Sequence, residues 1–265
     1  MRRPYDKYFE LIQGFRLLDD DYMTKFFDGQ IDLAELILRI ITPEKSLRVV
    51  SVTAQKEIKN LQGRSVRLDI LAADDQEWLH NVEVQRENKG AQPKRARYNS
   101  SLIDANSIES GSEYSDLPEQ YVIFITENDV YGHGLPMYHI ERMILELNQP
   151  FNDSEHIVYV NGAYEGHDPI GMLINDFRAT TAAEMHFPEL ARRMRYFKET
   201  EKGVREMCEA VEKIVKEENA RVEERSMISA VQNASRSFHV SEEDAAEKLG
   251  YDPKRYFEAK ERTLL

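Results

Sequence analysis

The chain has 265 residues, of which 41% are hydrophobic and 31% are charged, and its formal net charge is −13. This length is sufficient for one large domain, or for one domain with a small appendage. The acidic balance argues against indiscriminate binding of nucleic acid, because phosphate contacts require lysine and arginine. No apolar run approaches the roughly 20 residues that a membrane-spanning helix requires. The single cysteine, Cys208, excludes an internal disulfide, so we expect a cytoplasmic protein.

The first elements predicted along the chain are a helix, two strands and a hairpin turn. Residues 32–41 predict a helix that ends before Pro43, and residues 47–53 predict a strand. Residues 66–71 alternate between two faces of a second strand, which places Asp69 on the face opposite Leu68. The polar stretch 72–77 is typical of a hairpin connection.

The third predicted strand, residues 81–86, carries Glu83 and Gln85 on one face. If it pairs with the preceding strand, Asp69, Glu83 and Gln85 converge on one side of the sheet. Burying an unpaired carboxylate is costly, so isolated acids in two successive apolar strands indicate a function. Two carboxylates, an amide oxygen and a backbone carbonyl suit Mg²⁺ or Mn²⁺ better than zinc. Either acid alone is better explained as a structural or solvent-facing residue, and only the combination favours a metal site.

Further elements follow in the middle of the chain. Pro93 predicts the start of a helix that runs to about Ile108 and is closed by Gly111. Residues 121–126 form a continuous apolar run, which is typical of a central strand buried on both faces. After a loop, the segments 138–144 and 156–160 predict additional strands.

These ordered segments resemble the PD-(D/E)xK nuclease superfamily, and more closely its branch of recombination-promoting nucleases and transposase-like proteins. The resemblance covers about residues 5 to 180. It implies a restriction-endonuclease-like α/β core (helix, three strands, helix, strand) with a mixed sheet, in a domain spanning residues 1–198. The segments that carry the resemblance are 66–70, 81–86, 94–104, 121–126 and 132–140.

The resemblance implies a metal-dependent DNA endonuclease in which Asp69 and Glu83 hold Mg²⁺ or Mn²⁺ and Gln85 positions the attacking water. Gln85 stands where the superfamily name expects a lysine, and Leu68 where it expects a proline. Glu35 is either a partly exposed helix residue or an accessory ligand, because some members use an acid from the first helix. The alternative function, favoured by Gln85 and the acidic charge, is a catalytically weak or inactive DNA-binding or regulatory module derived from a nuclease.

A basic segment directly after the proposed site predicts the DNA-binding surface. Lys94 and Tyr98 lie one helical turn apart, which resembles the helix motif with which related nucleases support the metal site and the DNA backbone. A second basic group at 192–198 is interpreted as pairing with the abundant acids. The residues expected to bind DNA are Lys94, Arg95, Arg97 and Tyr98, beside Arg86 and Lys89.

Residues 199–265 predict a helical C-terminal extension. Its first part carries an apolar stripe at spacings of three and four, formed by Val204, Met207, Val211 and Ile214. Such a stripe either packs on its own domain or mediates self-association, and we expect a homodimer. Ser241 is a predicted N-cap that opens a helical hairpin. An oligomerisation or regulatory role is favoured for the hairpin over DNA reading, because its second helix has few basic residues.

Overall fold

The computed structural model of the protein describes residues 6–60 and 63–264. The chain divides into two compact units, one comprising Met1–Lys59 and Val66–Cys208, the other Asn60–Ser65 and Glu209–Leu265. None of the described helices is both long enough and apolar enough to cross a membrane.

The first unit contains helices at both ends and strands in the middle. Its helices are α1 (Asp6–Gly14), α2 (Asp20–Phe27), α3 (Ile31–Ile41), α4 (Pro93–Ser107), α5 (Pro169–Arg178) and α6 (Pro188–Glu199). Its strands are β1 (Val49–Ile58), β2 (Val66–Asp74), β3 (Leu79–Gln85), β4 (Gln120–Thr126), β5 (Met137–Ile140), β6 (Met143–Ile144), β7 (Gln149–Pro150) and β8 (Glu155–Asn161).

The main sheet is mixed and has the order β1-β2-β3-β4-β8-β5. Strands β1, β2 and β3 pair in antiparallel fashion, β3, β4 and β8 pair in parallel, and β5 is antiparallel to β8. A parallel pair cannot be joined by a tight hairpin, so α4 forms the connection from β3 to β4. The predicted order of helix, three strands, helix and strand is therefore confirmed.

Strand β4 lies at the centre of this sheet and is buried at every position, as its continuous apolar run predicted. Helix α4 covers one face of β4, where Ala96 packs into a cluster with Val122, Phe124 and Tyr159. Helices α2 and α3 contact β1, and α2 also contacts β2 and β3. Helices α2 and α4 thus both pack against the part of the sheet that contains β2 and its neighbours.

Lys198 at the end of α6 fixes the segment between α1 and α2. Its side chain is 5% exposed, and its Nζ donates to the carbonyl oxygens of Gln13 at 2.9 Å, Phe15 at 2.6 Å and Thr180 at 2.6 Å. Burial lowers the pKa of Lys198 to about 8. Arg193 likewise donates to the carbonyl of Phe26 and lies over an aromatic ring. In the described part of the chain these two residues therefore bond main-chain carbonyls rather than form close ion pairs, and their pairing with acids is limited to longer-range attraction.

The second unit is helical. Helix α7 (Glu201–Phe238) passes from the first unit into the second and is followed by α8 (Glu242–Lys248) and α9 (Pro253–Leu264). The predicted N-cap is confirmed, because the Ser241 hydroxyl accepts a hydrogen bond from the Asp244 amide at 3.0 Å. A small core joins the three helices and consists of Met227, Ile228, Val231, Ala245, Ala246, Tyr256 and Ala259.

The apolar stripe at the start of α7 is largely covered within a single chain. Met207 and Val211 are buried, and Val204 is half-buried. The side chain of Ile214 lies outside the described residues. Packing within the chain, one of the two roles expected for this stripe, accounts for the burial of Met207 and Val211.

We expect Lys198→Met to lower the free energy of unfolding by about 2–4 kcal/mol, because it removes charge-assisted hydrogen bonds and leaves buried carbonyl groups unpaired. Urea denaturation at pH 7 measures the change. Lys202→Met is the control, since the Lys202 side chain is 72% exposed and its ion pair with Glu206 is long at 3.9 Å. Equal losses in the two variants would contradict the anchoring role of Lys198.

Candidate active site

The two acids singled out by the sequence lie side by side on neighbouring strands. Ile70 pairs with Val82 in the antiparallel ladder, so Asp69 lies opposite Glu83. The Asp69 amide donates to Oε1 of Glu83 at 3.3 Å, and the Val84 amide donates to Oδ2 of Asp69 at 3.0 Å. Asp69 is 6% exposed and Glu83 is 0% exposed. The sheet therefore holds two buried carboxylates that are bonded to each other's strands.

Arg95 provides the positive charge of this site. From the first turn of α4, its guanidinium donates to Oε2 of Glu83 at 2.5 Å and to the carbonyl oxygen of Gly90 at 3.0 Å. It also lies 5.8 Å from the ring centroid of Phe124. The sequence placed Arg95 among the DNA-contacting residues, whereas the structure directs it inward to Glu83.

Gln85 follows Glu83 by two positions and therefore shares its face of β3. Its side chain is half-buried and packs against the main chain at Gly90. A Cβ atom at Gly90 would lie 1.9 Å from Oε1 of Gln85, so a side chain at position 90 would require the Gln85 amide to move. The short turn before α4 thus fixes both Gln85 and Arg95 next to Glu83.

Two acids on α3 and α2 differ in their relation to the acid pair. The carboxylate of Glu35 accepts the Val49 amide at 3.0 Å and pairs with Arg39 at 2.7 Å, so both of its oxygens have partners within the fold. Asp20 at the start of α2, in contrast, lies near enough to repel the charges of Asp69 and Glu83. Sequence reasoning missed Asp20, because acids in the first turn of a helix are ordinarily explained by the helix dipole.

The environment opposes ionisation of the acid pair. Burial, followed by the charges of Glu83 and Asp20, raises the pKa of Asp69 to about 8. Burial also raises the pKa of Glu83 to about 7, and the positive charge of Arg95 opposes this rise. Simultaneous ionisation of the two carboxyl groups is therefore unfavourable, and additional positive charge would favour it.

A divalent cation of the hard type fits this donor set. Mg²⁺ is commonly bound by one or two carboxylates, with water and phosphate oxygens as the other ligands. Asp69 and Glu83 supply the carboxylates, and the amide oxygen of Gln85 is the neighbouring neutral donor. In the described part of the chain, no group of three or more histidine, cysteine, aspartate or glutamate residues could hold a metal ion. The pair would therefore rely on water and phosphate to complete the coordination.

The other basic residues after the site divide into exposed and paired groups. Lys94 and Arg97 are exposed on α4, and neither forms an ion pair within the residues that the structure describes. Tyr98 is partly buried against the cluster that contains Leu102. Arg86 pairs with Asp19 at 3.1 Å and with Glu127 at 3.4 Å. The side chain of Lys89 lies outside the described residues.

A mixed α/β sheet with an acid pair on two adjoining strands, followed by a helix that crosses to a parallel strand, defines a nuclease-like domain of the PD-(D/E)XK class. The family model described as PD-(D/E)XK nuclease family transposase matches residues 31–166, about half of the chain, and the protein belongs to this family. No curated protein and no solved structure matches the chain. The matched range contains Asp69, Glu83 and Gln85 and all of α4.

Without divalent metal, we expect the acid pair to reduce the stability of the fold as the pH rises from about 4 to about 8. Because the folded pKa values are raised, the folded state retains protons that the unfolded state has released, so the free energy of unfolding falls across this range. Urea denaturation in the presence of EDTA measures the effect. The double variant Asp69→Asn, Glu83→Gln should not show the fall in stability that comes from the acid pair. If the free energy of unfolding of wild type and of the double variant changed with pH in parallel, the prediction would be wrong.

Proposed function

We propose that the protein is a metal-dependent DNA endonuclease that hydrolyses phosphodiester bonds. The observation that carries the proposal is the pair of buried, adjacent carboxylates Asp69 and Glu83, bonded across β2 and β3. Membership of the PD-(D/E)XK nuclease family transposases supports it, since nucleases of this class usually use divalent metals. Because the family is one of transposases, we extend the proposal to a role in recombination or in the movement of mobile DNA.

In the proposed mechanism, Asp69 and Glu83 would hold Mg²⁺ or Mn²⁺ through their carboxylate oxygens. When bound, such an ion lowers the pKa of a water molecule and neutralises charge on the scissile phosphate. The amide oxygen of Gln85, which lies next to Gly90, would accept a hydrogen bond from the attacking water and orient it. The enclosure of the site by α4 limits access of bulk water, which strengthens the electrostatic contacts.

DNA binding is assigned to the exposed side of α4. Lys94 and Arg97 can neutralise phosphates there, because both are exposed and neither pairs with an acid in the described chain. Tyr98 is partly buried on the same helix, and Arg95, whose side chain is 36% exposed, lies on it as well. A local basic strip is compatible with the net charge of −13, because phosphate contacts depend on nearby charges under physiological screening.

A second candidate function is a catalytically weak or inactive nuclease-derived module that binds DNA or regulates another protein. Two observations favour it. Gln85 occupies the position of the superfamily's lysine, and the ion pair with Arg95 already occupies Oε2 of Glu83. Cleavage of DNA that depends on a divalent metal would indicate the endonuclease, and its absence would indicate the inactive module.

We expect the purified protein to nick supercoiled plasmid DNA in the presence of Mg²⁺ or Mn²⁺ but not EDTA, as measured by gel electrophoresis. Asp69→Asn should abolish cleavage. Gln85→Ala should lower the rate by about 10²-fold, on the scale of removing one stabilising group from an active site. Glu87→Gln is the matched control, because Glu87 is an exposed acid two residues beyond Gln85. Cleavage by Asp69→Asn at the wild-type rate would exclude the proposed site, and metal-independent DNA binding without cleavage would favour the second candidate.

The double variant Lys94→Ala, Arg97→Ala should weaken DNA binding and reduce the slope of log affinity against log salt by about 0.9 for each lost phosphate contact. Fluorescence anisotropy at several salt concentrations gives both values. Arg192→Ala, Arg195→Ala is the control, since these exposed arginines lie on α6. If the control variant lost as much affinity and slope, the DNA surface would not be α4.

Two further expectations stay predictions. A homodimer through the C-terminal helices would bring two active sites to one duplex, which suits double-strand cleavage, although Met207 and Val211 are already buried within one chain. A cytoplasmic location is expected from the single cysteine, Cys208, which makes an internal disulfide impossible.

A further inference from the structure

The carboxylate of Glu83 is fully buried and has a partner on each oxygen. Oε1 accepts the Asp69 amide, and Oε2 accepts the Arg95 guanidinium at 2.5 Å. Arg95 therefore already neutralises Oε2 of Glu83, the oxygen that the proposed metal ion would need. An isolated buried carboxylate would otherwise carry a large desolvation cost or take up a proton.

Arg95 is held differently from its basic neighbours on α4. One terminal nitrogen bonds Glu83 and the other bonds the Gly90 carbonyl, an arrangement that requires the planar fork of arginine. The Arg95 side chain is nevertheless 36% exposed. A side chain with one buried anionic partner and more than a third of its surface in solvent can leave that partner without unfolding the helix.

A guanidinium and a divalent cation on one carboxylate repel each other, and this repulsion is strong where solvent is excluded. Asp69 relieves this repulsion only in part, because the two carboxylates together carry less negative charge than an arginine and a divalent cation carry positive charge. The neutral Gln85 adds no negative charge. Occupation of Glu83 by Arg95 and by a metal ion is therefore competitive.

We propose that Arg95 is the internal counter-ion of the acid pair, and that a divalent cation binds by displacing the Arg95 guanidinium from Glu83. This inference rests on the proposed function, because it takes Asp69 and Glu83 as the metal ligands. The cation competes with a tethered positive charge, so the metal affinity of the wild-type protein is set by Arg95.

Calorimetric titration of the full chain with MnCl₂ at pH 8.5 tests the competition. We expect Arg95→Gln to bind Mn²⁺ at least about tenfold more tightly than wild type, which corresponds to about 1.4 kcal/mol for the lost competitor. Arg95→Lys should remain closer to wild type, because it keeps the charge. The matched control is Arg67→Gln, which removes an exposed arginine two residues before Asp69 and should bind within about twofold of wild type.

The outcomes separate this inference from the proposed function. Loss of Mn²⁺ binding in Glu83→Gln, with unchanged or weaker binding in Arg95→Gln, overturns the displacement and leaves the metal site in place. Equal binding by wild type and Glu83→Gln, or no binding by either wild type or Arg95→Gln, overturns the metal site and the displacement together.

A measurement on the wild-type protein covers the case in which Arg95→Gln does not fold. The Nε–H resonance of Arg95, assigned by its loss in Arg95→Lys, reports on the guanidinium directly. Saturation with Mg²⁺ should shift this resonance and speed its exchange with water. A resonance that stays unchanged while Mg²⁺ binds at Glu83 would show that Arg95 does not leave, which overturns the proposal.

Discussion

The burial of two carboxylates at opposed positions of β2 and β3 is the constraint on which the site depends. Each acid accepts an amide from the other's strand, so the contacts hold only in the observed register. A slip of one residue would turn Asp69 to the other face of the sheet, because side chains alternate along a strand. The same constraint sets the position of α4, whose first turn must deliver Arg95 to Glu83.

A second set of contacts holds the segment before α2 at the carboxyl ends of β3 and β4. Lys198 binds the carbonyls that end α1, which positions the following residues. An ion-pair network then links this segment to the two strands. Its members are Arg16, Asp19, Arg86 and Glu127. The network explains why Arg86, basic and next to the site in sequence, is already paired, and why Asp20 comes close enough to repel the acid pair.

Local pattern in the sequence was sufficient to predict that the strands exist and that Asp69 and Glu83 converge, because alternation and a polar turn determine which residues share a face. It did not give the strand ends, since β2 runs to Asp74 through residues that were expected to form the turn. The direction of Arg95 was not predictable in this way. Lys94, Arg95 and Arg97 are all basic, and only the tertiary placement of α4 decides which of them meets Glu83. The same limit applies to Lys198, whose partners are main-chain carbonyls far away in the sequence and leave no pattern in residue identity.

The positions of Gln85 and Arg95 are coupled by charge. A lysine at position 85 would lie on the same face as Glu83 and two residues away, in a site where Arg95 already bonds that carboxylate. Because Arg95 already bonds Glu83, a lysine at position 85 would place a second tethered positive charge beside the two carboxylates, and this would disfavour the entry of a divalent cation. A neutral glutamine, packed against Gly90, retains a hydrogen-bonding group at this position without adding charge. The glutamine that replaces the superfamily's lysine on β3 is therefore accompanied by a positive charge from α4, the guanidinium of Arg95.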